Sequence, residues 1–427
     1  MTNLRLVIFL LFLCQLAEAQ LPAYNFRHLT TSDGLSDGAV HAIAQDKFGF
    51  IWIGTSYGLN RFDGVNIKTF FAKQTDTNAL ADNLIQSLFC DNKGRLWIGG
   101  LTKLYRYDYS TGQFINFKAG KNISVNDIQQ DPKGNVWVAA GDGLWIADQQ
   151  HNTLIKFNGN GNSLLAISLQ TNIDKIVPHF DKWYLATGKG IKIFNPLTYS
   201  YDEIRHDSTK DISLSSDAVV NLTFDAHGFL WAVCTFTGSI LNKIDLVNRR
   251  NTVYNHFIDP QKGWSNNTVR NVFSDARGRL WITSTNTRLS LYDEEHNDFL
   301  DYRNDPVFPT GNPGGSALCI FQDASGNMWL GSEGYGVSYF HPDRNLFYNI
   351  HPIFQQSKST PELWCRAACE DRQGNWWLGT FQGLVRYDPA AKSFTFFENA
   401  QQKKPVLYFN SVRSLLEDDA GDIWIGT

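Results

Sequence analysis

Charge of one sign is not in excess in this 427-residue chain: 38 Lys and Arg face 42 Asp and Glu, and charged residues make up only 19%. A field this near neutral draws the protein neither to nucleic acid nor to anionic lipid, and the interleaved basic and aromatic stripe of a single-strand binding groove is missing. Cysteine is scarce, at six residues, too few for a disulfide framework in so long a chain. Beyond the first twenty residues no apolar run approaches the ~18 residues of a membrane helix. Linear signatures of catalysis are absent too. There is no HExxH, no C-x-x-C pair, no G-x-S-x-G, no Walker or dinucleotide glycine pattern and no glycine-rich ATP-binding string of a histidine kinase. No cofactor is implied and no metal set stands out.

What is present is aromatic: 13 Trp, 16 Tyr and 30 Phe, 14% of the chain, with 34 Gly. This load excludes a disordered, collagen-like or coiled-coil protein. The start, MTNLRLVIFLLFLCQLAEAQ, has an early cation (Arg5), an apolar run from Leu6 to Leu13 and the small-x-small site Ala17-Glu18-Ala19. That is the pattern of a signal peptide over residues 1–19, with export and a mature chain from Gln20. Five cysteines then remain. Cys365 and Cys369 lie about 13 Å apart along a strand, too far to bond, so buried free thiols are expected.

Self-similarity at 40 to 50 residues organises the rest. Nine tryptophans keep time: Trp52, Trp97, Trp137, Trp183, Trp231, Trp281, Trp329, Trp377 and Trp424. Eight of them follow an aspartate by six residues and a glycine by three, as in Asp46-Lys47-Phe48-Gly49-Phe50-Ile51-Trp52. Asp opening a tight turn accepts backbone N–H groups and Gly at the fourth place takes positive φ, so D-x-x-G is a hairpin turn with the Trp inside the second strand. In the first repeat the strands fall at about Val40 to Gln45, Phe50 to Gly54, Leu59 to Phe62 and Ile67 to Phe70. Four short antiparallel strands make one propeller blade, and blades set radially cover each other, with the indole as wedge. The predicted fold is all-β: a seven-bladed ring over 20–350, followed by the truncated start of a second propeller over 351–427.

Departures from the pattern carry expectations of their own. Around Trp183 the Asp and Gly are lost from their places, which predicts an irregular inner hairpin in the fourth blade. The last repeat stops at Trp424-Ile425-Gly426-Thr427, inside its second strand, as expected either of a fragment of something longer or of a truncated open reading frame whose final residues are unpaired.

The strings GLSDGAVHAIAQDKFGFIWIGTSYGLNRFDG (Gly34 to Gly64), DNKGRLWIGG (Asp91 to Gly100) and DRQGNWWLGTFQGLVRYD (Asp371 to Asp388) resemble the two-component regulator propeller repeat. That resemblance implies the periplasmic sensor region of a hybrid two-component system histidine kinase. Such a region holds two seven-bladed rings, with the membrane helix and kinase core beyond it. It also implies a homodimer through the sensor, an oligosaccharide or other small ligand derived from glycan, and an inner-membrane parent anchored only by a later C-terminal segment.

Tyr24 to Thr30 matches the fourth strand of later repeats, for instance Ile67 to Phe71, and should complete some last blade. Phe347 to Ile350 also looks like the fourth strand of the seventh repeat, so the N-terminal strand closes either this ring or a blade of a second one. Loops between second and third strands share a face with the links between blades. Tyr57, Lys103 and Tyr335 there could stack on and fork onto a sugar; ordinary exposed loop residues are the plainer alternative. A second set lies five residues before each turn aspartate: His41, Gln86, Asn126, Val220, Arg270, Leu318, Arg366 and Arg413. Mostly polar, it is placed at the axial mouth, where it meets an anionic or hydroxylated ligand or simply solvates the channel. From this set His41, Gln86, Asn126 and Arg270 join the candidate ligand contacts. Trp264 sits where other repeats place leucine and is assigned to packing. Because propellers can assemble lyase or hydrolase sites from several blades, a secreted enzyme acting on polysaccharide stays open, as does a protein-binding scaffold.

Overall fold

The aspartate that opens each turn reaches the tryptophan that follows it, and the sheets grow outward from that bond. In the computed structural model, residues 24–73, 75–161, 168–235, 238–254, 268–285, 289–302, 316–343, 365–381, 383–389, 393–397 and 411–427 are described. The Trp52 indole N–H donates to Asp46 Oδ2 at 2.7 Å, Trp97 to Asp91 at 2.9 Å, Trp231 to Asp225 at 2.7 Å and Trp329 to Asp323 at 2.8 Å. The same bond recurs in all eight repeats that have the aspartate. The other carboxylate oxygen takes backbone N–H groups: those of Phe48 and Phe50 reach Asp46 Oδ1 at 2.9 and 3.1 Å. Gly49 supplies the turn's positive φ, +89°. In Asp91 burial pushes the carboxyl pKa up, but donation from Arg95 and Trp97 outweighs it and the group ends below its ordinary value.

The W-I-G-T run has a reason at each place. A Cβ on Gly54 would lie 2.6 Å from Ile85 of the next blade, one on Gly99 2.5 Å from Val125, and one on Gly331 2.7 Å from Val40. Only a residue without a side chain lets the next inner strand lie so close. The hydroxyl that follows closes the loop to the third strand: Thr55 Oγ1 donates to Gly58 O at 2.9 Å and Ser332 Oγ to Gly336 O at 2.9 Å.

The chain divides into two compact units, Met1–Tyr348 and Asn349–Thr427. Among the described residues of the first are seven four-stranded antiparallel sheets. Their innermost strands are Val40–Gln45, Ile85–Cys90, Val125–Gln130, Ile173–His179, Val219–Phe224, Val269–Ser274 and Ala317–Gln322. Each packs on the next, and the seventh packs on the first, so the unit is a β-propeller ring. The indoles wedge the gaps between blades. Trp52 of the first blade is buried with Leu80, Ile85, Leu96, Ile98 and Tyr105 of the second, and Trp329 of the seventh with Val40 and Ile53 of the first.

The seventh blade is closed by the N-terminal strand. Arg27–Leu29 pairs antiparallel with Val337–Phe340, with Arg27 opposite Tyr339 and Leu29 opposite Val337. Of the two placements open to it, the strand takes the one in this ring; Phe347 to Ile350 lies outside the described residues. Just before it, Tyr24 and Phe26 insert into a pocket of rings, Tyr24 at 4.7 Å from both Tyr302 and Phe340, and Phe26 at 4.7 Å from Phe340.

The fourth blade is irregular where expected. Its inner hairpin turns in two residues, His179 pairing with Lys182, and Phe180 takes φ +53° at the exposed tip. Trp183 remains buried against Trp137 and Phe194 without the carboxylate bond, while Asp181 instead accepts from Asn195 at 2.9 Å.

The second unit contributes a four-stranded sheet, Cys365–Glu370, Trp376–Thr380, Leu384–Asp388 and Ser393–Phe397, and a pair, Ser414–Glu417 with Ile423–Gly426. Trp424 keeps its bond to Asp418 yet is 65% exposed. The five cysteines are free. Cys234 is buried, Cys90, Cys319 and Cys369 are half-buried, and Cys365 is exposed, so the expectation of buried thiols holds in full for Cys234 and fails at Cys365, whose strand lies in the second unit, where nothing described covers that residue. The signal-peptide segment 1–19 and Trp264 lie outside the described residues.

Replacing Trp231 with Phe keeps the ring's bulk but strands the half-buried Asp225 Oδ2, an expected loss of about 1 kcal/mol in urea unfolding. The same change at the exposed Trp424 should cost no more than about 0.5 kcal/mol. Equal losses would refute the role given to the bond. Phe26→Ala should lower ring stability by about 3–5 kcal/mol, and light scattering should show self-association through the unpaired edge of the seventh blade; an unchanged melting temperature would contradict the closure.

Candidate functional site at the ring mouth

Each inner strand breaks register at its second residue. Val40 pairs with Thr55 and Ala42 with Gly54, so His41 has no partner across the ladder. The same shift skips Gln86, Asn126, Asp174, Val220, Arg270 and Leu318 in the other six blades, and Arg366 in the second unit. A β-bulge of this kind frees one side chain from the pleat and re-aims it, and bulges gather beside functional sites for that reason.

The candidate set read from the repeats is therefore the set of bulged residues, with two changes. Arg366 and Arg413 belong to the second unit and not to this ring; Arg413 precedes the strand Ser414–Glu417. Asp174 joins. It stands nine residues before Trp183, where the other bulged residues stand eleven before theirs. The two-residue turn at Phe180 shortens the hairpin and hides Asp174 from an offset counted back from an aspartate that this blade lacks.

One residue beyond the bulge, in most of the blades, side chains stitch blade to blade. Ser87 Oγ donates to Val125 O at 2.9 Å, Asp127 Oδ2 accepts the Ile176 N–H at 2.8 Å, and Asn271 Nδ2 donates to Ala317 O at 3.1 Å. Cys319 Sγ reaches Val40 O at 3.7 Å, across the junction of the last blade with the first. With these contacts fixing the inner strands, the bulged residues stand on a rigid rim.

Along the second to fourth blades the rim is a polar chain. Ser124 Oγ donates to Gln86 Oε1 at 2.9 Å, Asn126 Nδ2 donates to Asn172 Oδ1 at 2.9 Å and to Ile173 O at 3.0 Å, and Asn172 Nδ2 donates to Asp174 Oδ1 at 2.7 Å. Burial pushes the Asp174 carboxyl pKa up, against the Asn172 amide. On the first blade His41 Nε2 and Ser56 Oγ share a hydrogen bond of 2.8 Å; burial lowers the imidazole pKa, opposed by Asp37 and Glu333. Arg270 stands apart from both groups.

The loop residues Tyr57, Lys103 and Tyr335 are exposed on this same face, Tyr57 and Tyr335 at 57% and 54%. Their loops are anchored. Ser56 N donates to Ala39 O, Glu333 N to Ser316 O, and Asp82 accepts from the Thr102 amide, the Thr102 hydroxyl and the Tyr105 hydroxyl at 3.0, 2.7 and 2.8 Å around Lys103. Thus His41, Tyr57 and Tyr335 come from the adjoining first and seventh blades, Gln86 and Asn126 are joined through Ser124, and Lys103 lies farther out on the second blade. Repeat reasoning missed Ser124, Asn172 and Asp174. Among the described residues no three His, Cys, Asp or Glu side chains converge as a metal set.

Four stretches of the chain, 34–57, 79–102, 311–334 and 409–427, match the family profile described as Two component regulator propeller. These stretches are two-component regulator propeller repeats. Over 71 residues, 17% of the chain, the sequence is 41% identical to Histidine kinase P4 of Formosa agariphila, covering 5% of that protein. Among solved structures, the extracellular domain described as that of the hybrid two component system BT3049 from B. thetaiotaomicron superposes with a TM-score of 0.69 at 21% identity, over 95% of this chain and 52% of that one. Virginiamycin B lyase from Staphylococcus aureus superposes with a TM-score of 0.54 at 14% identity, over 75% of this chain and 99% of that one. At such identities the structural likeness is one of fold. The chain spans about half the length of the extracellular domain it matches.

Because the folded pKa of His41 lies below its unfolded value, the unfolded chain binds the extra proton first. His41 therefore costs nothing at neutral pH, and stability falls as pH drops through the unfolded value, about 6.5. Unfolding midpoints between pH 8 and pH 5 should decline less steeply in His41→Gln; parallel profiles would contradict a desolvated neutral imidazole.

Proposed function

We propose that this chain is the ligand-sensing propeller region of a hybrid two-component histidine kinase, exported to the periplasm, and that the ring mouth holds a glycan-derived oligosaccharide. The kinase core and membrane anchor would belong to a parent protein fixed in the inner membrane, and the bound sensor would signal across the membrane as a homodimer. The observation that carries the binding role is the bulge repeated in every blade. Seven times the ladder gives up a pair to present a side chain on the loop-bearing face, and four of those side chains are His, Gln, Asn and Asp on consecutive blades. Side-chain amides offer donor and acceptor together, which suits hydroxyls, and Tyr57 and Tyr335 give exposed ring faces for C–H surfaces. Sensing rather than turnover is supported by the regulator-propeller repeats in the sequence and by the stretch shared with a histidine kinase.

Calorimetry of the purified chain against an array of oligosaccharides, with product analysis of each mixture, tests this. Saturable binding without product is expected, and Asn126→Ala should weaken it by about tenfold, or roughly 1.4 kcal/mol, through loss of one or two amide hydrogen bonds. Product formation would favour a polysaccharide lyase or hydrolase, and full affinity in the Asn126→Ala chain would move the site away from the mouth.

A further inference from the structure

The polar groups of the rim are not equally provided for. In the second to fourth blades each is answered by a neighbour, from Gln86 through Ser124, Asn126 and Asn172 to Asp174. The sixth and seventh blades differ. Arg270 is exposed and makes no hydrogen bond or ion pair with any described residue, whereas Arg95, Arg205, Arg277 and Arg279 each hold a carboxylate. Ser316 takes in the seventh blade the place that Ser124 takes in the third, just before the inner strand, yet its enclosed hydroxyl has no partner.

A guanidinium can only donate, and among the described residues neither it nor the Ser316 hydroxyl has a partner, so an incoming acceptor would answer both. The bulged residues on either side, Val220 and Leu318, carry no counter-charge. Among the described acids of the face, Asp174 accepts from Asn172, Asp37 from the Ala39 amide, and Asp142 from Lys121 and Lys156, while the exposed Glu333 acts on His41 through its charge.

Resting on the glycan reading of the mouth, we propose that its ligand is an acidic oligosaccharide, with a uronate carboxylate or a sulfate ester held on Arg270 and neutral hydroxyls on the amide chain of the second to fourth blades. The planar fork of Arg matches either oxyanion with two parallel N–H···O bonds, which a lysine at that position could not reproduce.

The test is a binding array of the purified chain against uronate-bearing, sulfated and neutral oligosaccharides of matched backbone, at low and high salt. Binding of an acidic member is expected, weakened by salt. Arg270→Gln should weaken it by about tenfold or more, Arg270→Lys by less, and both variants should leave any neutral member within about twofold. Because Arg270 is exposed, neither change should disturb folding, and circular dichroism checks this. If neutral members bind as tightly as acidic ones, or Arg270→Gln leaves acidic binding unchanged, the acidic class is wrong while the glycan site stands. If no member of the array binds, the glycan site itself fails and the acidic class with it.

Discussion

In every repeat but the fourth, one carboxylate bonds the indole six residues on, and in the first it also takes two backbone amides of the turn it opens. That ties the geometry of a hairpin to the position of the wedge between blades. A turn alone would leave the indole free to choose another rotamer, and an indole alone would not fix the hairpin. The fourth blade shows how far the two can be separated: Trp183 still fills its gap, but the turn has taken another form. Packing thus places the indole there without the carboxylate's help, and elsewhere the bond adds turn and wedge registration.

The two ends of each inner strand serve different ends. At the hairpin end stand the aspartate, the positive-φ glycine and the wedge. At the other end the ladder opens into a bulge, and in most blades the next residue is spent on stitching it to its neighbour. Chemistry at the mouth can therefore vary from His41 to Leu318 without touching the devices that hold the ring, because a bulged side chain makes no ladder pair. Rigidity comes from what lies one residue farther along.

Much of the ring was legible in the sequence, because its determinants are local and repeat: D-x-x-G-x-x-W fixes a hairpin and a wedge wherever it occurs, and counting strands between successive tryptophans gives four. The i to i+6 bond was present as a spacing before its meaning was visible, since a turn motif accounts for the aspartate without it. What could not be read was pairing across long separations. Nothing near Arg27 says that it faces Tyr339, and two strings looked alike as fourth strands of the seventh blade. The mouth was legible as positions and not as contacts. Five residues before the aspartate marked His41, Gln86, Asn126 and Arg270, but Asp174 was lost to a turn two residues shorter. Ser124 and Asn172, which link their neighbours, occupy a place whose residue type changes from blade to blade.

His28 and Ser338, whose side chains meet at 3.1 Å, are 310 residues apart in the chain. The first strand of this ring to be synthesised is thus the last to find its place, and it must wait, unpaired, until six whole blades and most of a seventh have formed. Closure entropy for so long a separation has to be met before the contacts that reward it exist. Nascent molecules will pass through a stage in which nearly every sheet is built while one slot stands open, the stage at which a chaperone or a neighbouring chain has most to offer. Protection from proteases should then arrive late and all at once, when the ring's oldest strand locks against its youngest.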